Sequence, residues 1–135
     1  MDQAWIGSPN DGVRLQPGRI EPDGSVVVVV ALLRADGLEA RRAVVHHYSR
    51  GFDDLVGYFA NLERDWRGWK GERTWESLEG DLAFSAVHDG HIALTVSLRQ
   101  SVPDGWSAKA HLRIDPGEQL SVVVRDLRSV VGSRA

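Results

Sequence analysis

Residues 81–114, DLAFSAVHDGHIALTVSLRQSVPDGWSAKAHLRI, carry the clearest structural signal in the chain. Two segments within them, His91–Arg99 and Trp106–Ile114, alternate between apolar and polar side chains. Because successive side chains of a strand point to opposite faces of a sheet, this alternation is typical of strands with one buried and one solvated face. Asp81–Val87 adds a third strand, so the stretch predicts an antiparallel meander.

The loop between the first two of these strands sets their register. A two-residue turn of Asp89 and Gly90 would put the apolar side chains of the two strands on opposite faces, because a shift of one residue exchanges faces. A three-residue loop of His88, Asp89 and Gly90, with Gly90 in the left-handed conformation, puts them on one face. We therefore expect the three-residue loop, with Phe84 opposite Leu94.

Three more strand-like segments precede this meander. They run over Val13–Leu15, Ser25–Arg34 and Leu38–Tyr48, and Pro-Gly, Pro-Asp-Gly and Asp-Gly turn signals separate them. Val26–Leu33 is apolar at every position. This pattern indicates either a strand covered on both faces or a contact between copies of the chain, and we expect burial within the fold.

Two segments have the period of an amphipathic helix. Asp53–Trp69 places its apolar residues at helical spacing and two aspartates in its first turn, and we expect Gly68 and Gly71 to end it. The second helix is predicted to start at Asp115, where Asp-Pro-Gly-Glu offers an N-cap, a proline and a glutamate as in a capping box. Its apolar residues then recur as far as Val131.

Together these elements predict an α+β fold with an antiparallel sheet of about six strands. The expected order is βββ-α-βββ-α, with two helices packed on one face of the sheet. The chain has 135 residues and shows no internal repeat and no linker long enough to divide it. We therefore expect a single domain over residues 1–135.

The composition excludes several classes of protein. The chain has no cysteine, so it cannot form disulfides, thiolate metal sites or a cysteine nucleophile. Its net charge of −3 argues against nucleic-acid binding, which usually requires a basic surface. The longest apolar run is far shorter than a membrane helix, and the N-terminus lacks the layout of a signal peptide. We expect a cytoplasmic protein that does not contact the membrane.

No known catalytic motif is present. The chain lacks a serine nucleophile elbow, a dinucleotide-binding loop, a Walker loop and a paired-histidine zinc motif. Glu76 and Glu79 could act as paired carboxylates, but an exposed acidic turn explains them more simply. We therefore expect a protein that is not an enzyme and needs no cofactor.

The histidines suggest a metal site only at first sight. His88, Asp89 and His91 lie close in sequence and are suitable ligand types, but the expected register places His91 on the outer face and His88 in the loop. His46 and His47 are adjacent on a predicted strand and therefore point to opposite faces. We expect no metal site, and we interpret His46 and His47 as a packing or edge feature.

Residues 66–80, WRGWKGERTWESLEG, concentrate three tryptophans and three glutamates. One interpretation is a recognition loop, since tryptophan and arginine provide rigid anchors at protein interfaces. The other is a structural plug, because tryptophans bury large areas where a helix crosses the end of a sheet. Both interpretations remain open.

Charge is distributed unevenly along the chain. Residues 51–80 hold seven acidic and four basic residues, a net charge of −3 that equals that of the whole chain. The outer faces of the later strands are basic and carry His91, Arg99, Lys109, His111 and Arg113. This pattern predicts an acidic region on the helix side that opposes a basic sheet face, and either could steer a partner.

The motifs WRGW, GERTWESLEGDL and DGHIALTV resemble an uncharacterised family of small bacterial proteins. That family is similar in layout to the WapI immunity proteins, which bind and neutralise the toxic C-terminal part of a contact-dependent toxin. The resemblance covers the first helix and the strands after it, about half of the chain. It implies that the recurring family positions are Trp66, Trp69, Trp75, Glu76, Glu79, Gly80 and His91.

These observations leave three functional hypotheses. The leading one is a non-enzymatic protein-binding module of immunity-protein type, a monomer or weak homodimer whose partner is a toxin domain encoded nearby. The alternative is a small-molecule or regulatory binding domain with a tryptophan-lined pocket between sheet and helix. The third is a structural domain or an enzyme of unrecognised type.

Overall fold

A computed structural model describes residues 2–132, and Met1 and residues 133–135 of the predicted domain lie outside the described residues. Its elements, in chain order, are β1 (Ala4–Ser8), β2 (Asp11–Ile20), β3 (Val26–Ala35), β4 (Leu38–Val45), α1 (Asp53–Arg64), β5 (Glu72–Glu76), β6 (Leu82–His88), β7 (Ile92–Arg99), β8 (Ser107–Ile114) and α2 (Glu118–Val131). The described part of the chain therefore repeats one arrangement, four strands followed by a helix.

The strands form two separate antiparallel sheets. The first has the order β1-β2-β3-β4 and the second has the order β5-β6-β7-β8, so every pairing joins neighbours in sequence. α1 connects the two sheets and packs against α2, which also contacts β1 and β2. One hydrophobic cluster joins both sheets and both helices. None of the helices in the described part of the chain is long and apolar enough to cross a membrane.

The predicted single sheet in a βββ-α-βββ-α order is therefore wrong, although the α+β content is confirmed. The prediction missed two strands, β1 and β5, and both are only five residues long. Such short segments leave too few positions for alternation to be recognised. It also joined strands across α1, because the period of a strand reveals its buried face but not the sheet to which it belongs.

The hairpin of β6 and β7 has the expected faces but a different pairing. Phe84 lies opposite Val96 rather than Leu94, so the three-residue loop consists of Asp89, Gly90 and His91. A shift of two residues keeps every side chain on its face, which is why burial alone could not detect it. The side chain of Asp89 accepts a hydrogen bond from the His91 backbone N–H, and this short-range contact shapes the loop.

The first helix and the fourth strand end earlier than predicted. α1 stops at Arg64, five residues before Trp69, and the backbone N–H of Asp65 donates to Asn61 at the helix end. β4 ends at Val45, not Tyr48. α1 has the two predicted aspartates, Asp53 and Asp54, in its first turn, where the positive end of the helix dipole stabilises their carboxylates.

The start of the second helix also differs from the prediction. α2 begins at Glu118 and its N-cap is Gly117, which has no side chain to cap the helix. Asp115 still supports this end, because its carboxylate accepts from the Gly117 N–H at 2.7 Å and its own N–H donates to the Gln119 side chain at 2.9 Å. These two hydrogen bonds resemble those of the predicted capping box, but they start from Asp115, two residues before the N-cap Gly117.

The valine-rich strand β3 lies inside the first sheet and is buried mainly on one side. Val29, Ala31 and Leu33 face the core and are fully buried, whereas on the other face Leu32 is buried but Val28 and Val30 are half-buried. The all-apolar pattern thus identified a central strand, but burial on both faces is incomplete.

Candidate interaction surface

The outer face of the second sheet consists of three rows of side chains that run across its four strands. Inward-facing residues such as Phe84 and Leu94 are buried, and the residues between them point outward. From β5 to β8, the rows are Glu72–Val87–Ala93–Arg113, Thr74–Ser85–Thr95–His111 and Glu76–Ala83–Ser97–Lys109. We call these twelve residues the charged trough.

The two sides of the charged trough carry opposite charge. Glu72 and Glu76 on β5 form the acidic wall. Lys109, His111 and Arg113 on β8 form the basic wall. The two walls are separated by three strand spacings, roughly 14 Å. Charges at that distance are screened from each other by water and salt, so both walls remain available to a bound partner.

The floor between the walls is made of small side chains, except at Val87, which is 41% exposed. Ala83, Ser85, Ala93, Thr95 and Ser97 project little from β6 and β7, whereas the walls carry long side chains. Two adjoining depressions result, with volumes of about 510 Å³ and about 380 Å³. Their hydroxyl groups give the floor hydrogen-bonding capacity without filling it.

Arg99 closes one end of the charged trough. Its guanidinium Nε donates to the carbonyl oxygen of Gly80 at 2.8 Å and its Nη2 lies 4.0 Å from Glu76 Oε1. Both side chains of the Arg99–Glu76 pair are more than half exposed, so this pair contributes little to stability. Gly80 has a φ of 76°, and a Cβ there would lie 2.5 Å from Arg99 Nη2. The closed end therefore depends on glycine at this position.

The middle row contains a hydroxyl–imidazole contact. Thr95 Oγ1 and His111 Nδ1 are 3.1 Å apart and exposed to solvent. In a catalytic triad a third group orients the base, and among the described residues no acidic side chain is paired with the other ring nitrogen of His111. The contact holds the imidazole on the basic wall.

The glutamates singled out from the sequence lie in two places. Glu76 belongs to the acidic wall of the charged trough. Glu79 lies in the exposed turn that follows β5, where its carbonyl oxygen accepts a hydrogen bond from Ser101 Oγ at 2.8 Å. The carboxylates of Glu76 and Glu79 therefore do not form a paired-carboxylate site. His91 is exposed in the loop between β6 and β7.

Trp75 faces the core. It is 8% exposed, packs against Phe84 and donates from its Nε1 to Asp54 Oδ2 at 3.0 Å. Next to it, the Tyr58 hydroxyl donates to the carbonyl oxygen of Arg73 at 2.9 Å. Burial raises the pKa of Tyr58, and the carboxylate of Glu72 raises it further. The buried Trp75 thus holds β5 against the core, while its neighbours Thr74 and Glu76 face the charged trough.

Trp69 and Trp66 lie progressively nearer to solvent. Trp69 is half-buried, with the Arg73 guanidinium 4.8 Å from its ring centroid and His88 in edge contact. Trp66 is 48% exposed, and its carbonyl oxygen bonds with His88 Nε2 at 2.8 Å. Arg73 also donates to Asp65 at 2.8 Å, which lowers the pKa of that carboxyl. This network fixes the crossover from α1 to β5.

The histidines do not assemble a metal site in the described residues, which hold no group of three or more suitable ligands. His88 is engaged by Trp66 and by the N–H of Gly90. His47 Nε2 lies 3.2 Å from Asp54 Oδ2, and His46 packs near Phe52. The two adjacent histidines therefore have separate neighbours.

The outward-facing residues of the basic wall were predicted from the sequence. The floor of the trough and the position of the acidic wall were not. The prediction assigned acidity to the helix side, whereas Glu72 and Glu76 share one sheet face with Lys109 and Arg113. The alternate positions of β5 would have given the signal, but its five residues were not recognised as a strand.

A family described as a family of unknown function matches residues 6–134, nearly the whole chain. No curated protein and no solved structure matches the chain.

Proposed function

The chain belongs to that family, DUF6228, and we propose that it is a non-enzymatic protein-binding module that contacts its partner through the charged trough. The observation that carries the proposal is the ordered change across the three rows, from acidic or hydroxyl side chains on β5 to basic ones on β8, with small side chains between them at every floor position but Val87. Complementary charges across an interface steer association and fix the register of the two partners.

The shape and charge of the trough define the partner. A convex segment no wider than roughly 14 Å fits between the walls, and large side chains on it can fill the space above the small floor. Such a segment presents basic groups towards Glu72 and Glu76 and acidic groups towards Lys109 and Arg113. Opposite charges on both flanks would fix its orientation and exclude a reversed binding mode.

The immunity function is the more specific form of this proposal. A toxin-neutralising protein acts by covering its target, so it needs a rigid surface with complementary charge and no chemistry of its own. The charged trough lies on paired strands anchored from beneath by Trp75 and Phe84, which supplies rigidity. The motifs resemble an uncharacterised family whose layout is similar to that of the WapI immunity proteins, and this resemblance supports the same proposal. The proposed partner is a toxin domain encoded nearby.

The test is a pull-down from the native host with tagged wild-type protein, an acidic-wall variant and a control. The variant is Glu72→Lys/Glu76→Lys, and the control is Asp11→Lys/Asp36→Lys, which makes the same charge change at exposed positions of the first sheet. We expect one stoichiometric partner, identified by mass spectrometry, that binds wild type and control and is lost from the variant. Circular dichroism verifies that each protein folds.

Two outcomes contradict the proposal. Retention of the partner by the acidic-wall variant at moderate salt excludes the trough as the interface. Return of the bait alone at low salt removes the support for a protein partner. For the immunity function, expression of the recovered partner should arrest growth, and co-expression of wild type but not the acidic-wall variant should restore it.

A small-molecule site is the second candidate, because the depressions of about 510 Å³ and about 380 Å³ have the size of ligand pockets. The expected tryptophan lining does not assemble among the described residues: Trp75 borders the trough from below, and Trp66 lines a separate depression of about 240 Å³. Ligand-induced stabilisation in a thermal screen, absent in the acidic-wall variant, would favour this candidate over a protein partner.

A further inference from the structure

A second groove lies between the edge strand β1 and the helix α2. Its volume is about 590 Å³. Trp5 lines the strand side, Val122 and Val123 line the base, and Asp115, Glu118 and Asp126 lie along the helix side. The groove shares no residue with the charged trough, and the inference drawn from it is independent of the proposed function.

β1 is an edge strand with unused backbone hydrogen-bonding groups. It pairs with β2 on one side, and no other described residue forms a backbone hydrogen bond with it. In an antiparallel strand, the N–H and C=O groups of alternate residues point away from the neighbouring strand. The groups of alternate β1 residues therefore point to the free edge of the sheet.

The sequence of β1 also leaves this edge unprotected. Proteins commonly block an exposed edge with charged residues or proline, because an open edge recruits further strands. The three other edge strands, β4, β5 and β8, each contain charged residues, whereas β1 reads AWIGS and has neither a charged residue nor a proline. An edge that lacks these safeguards is suited to pairing with an added strand.

The helix side of the groove determines the chemistry of that strand. Three carboxylates face the groove, and no lysine, arginine or histidine is among the described residues that line it. Among the described residues, the Asp115 carboxylate accepts only from the Gly117 N–H before α2, and Asp126 lies 3.2 Å from the neighbouring Arg125 at the surface, so neither carboxylate is enclosed by the fold. The groove thus has an open backbone edge on one side and negative charge on the other.

We propose that this groove binds an extended basic segment of a partner protein as an added fifth strand of the first sheet. The segment pairs its backbone with β1. Its alternate side chains point to one face, so lysines or arginines at every second position reach Glu118 and Asp126 of α2, and their apolar stems pass over Val122, which lies between these carboxylates on the same stripe of the helix. The Arg14 guanidinium lies 5.9 Å from the Trp5 ring centroid and helps to fix that ring.

The test uses a short capped peptide of alternating lysine and valine that is long enough to span the five residues of β1. Binding is followed by two-dimensional NMR of the full chain. At millimolar peptide we expect saturable shifts in the amides of Ala4–Ser8 and in the first half of α2, with slower hydrogen exchange at alternate β1 amides. The variant Glu118→Gln/Asp126→Asn should bind about fivefold more weakly, because two exposed charge pairs are lost.

Matched peptides and variants keep the test decisive. The same peptide with alternate N-methylated amides cannot complete the ladder, and a glutamate version reverses its charge; neither should bind. The protein control Asp11→Asn/Asp36→Asn should bind like wild type, as should the acidic-wall variant of the trough. Absence of β1 shifts at millimolar peptide overturns the proposal, and so does equal binding of the N-methylated or glutamate peptide. None of these results bears on the charged trough.

Discussion

The ion pair between Arg42 and Asp81 joins the two sheets, and its disruption should be costly. Arg42 Nε donates to Asp81 Oδ2 at 3.2 Å, and the Asp81 side chain is only 4% exposed. Its second oxygen, Oδ1, is buried and has no hydrogen-bond partner in the described structure. Substitution of Arg42 by methionine would therefore leave a buried carboxylate without its counter-charge.

The expected cost follows from the burial of the two side chains. Breaking a buried pair by removing one partner costs about 3–5 kcal/mol, but the Arg42 side chain is 32% exposed and water already screens part of the attraction. We expect Arg42→Met to lower the free energy of unfolding by about 2–3 kcal/mol. At roughly 4 °C per kcal/mol for a domain of this size, Tm should fall by about 8–12 °C.

Urea unfolding of a double-mutant cycle measures this effect. Arg42→Met/Asp81→Asn removes both charges, so its loss should be smaller than the sum of the single losses by about 2 kcal/mol. Arg41→Met is the matched control, because Arg41 is the exposed neighbour on the other face of β4 and should change stability by no more than about 0.5 kcal/mol. Additive losses, or a loss from Arg42→Met no greater than the control, would refute the reasoning.

Three further predictions concern the crossover beneath the charged trough. Trp75→Ala should cost about 3–5 kcal/mol in urea unfolding and Trp66→Ala less than about 1 kcal/mol, because only Trp75 is buried; similar losses would contradict this distinction. Tyr58→Phe should cost about 1 kcal/mol at neutral pH through the lost hydrogen bond. Because the folded pKa of Tyr58 is raised above 10.0, wild-type stability should fall as pH rises beyond that value, and the phenylalanine variant should lack this fall. The pKa of Asp65 is lowered by Arg73, so the stability that Asp65 contributes is complete above pH 3.8 and is lost as pH falls through the folded pKa. Asp65→Asn should therefore differ from wild type at neutral pH and converge with it in acid, and a pH-independent difference in unfolding free energy would argue against the Asp65–Arg73 interaction.

The candidate site shows which features local sequence patterns can predict and which they cannot. Alternation in β7 and β8 correctly placed Lys109, His111 and Arg113 on an outer face, because side-chain period depends only on neighbouring residues. The acidic wall could not be placed from charge counts, since those counts ignore whether Glu72 and Glu76 lie on a strand or a loop. The groove beside β1 was invisible for a similar reason, because its two sides come from opposite ends of the chain.

The sequence by itself determined the α+β content, the long strands, both helical segments and the buried faces of the alternating strands β7 and β8, because periodicity and turn residues act over a few neighbouring positions. Only the tertiary structure decided that the strands divide into two sheets, that β6 and β7 pair two residues from the expected register, and that a charged trough and a strand-edge groove exist. Those features depend on which segments meet across α1 and at the chain's two ends. Such contacts are selected by packing of the shared core, in which Phe59 of α1 meets Phe84 of β6, and no local pattern encodes that meeting.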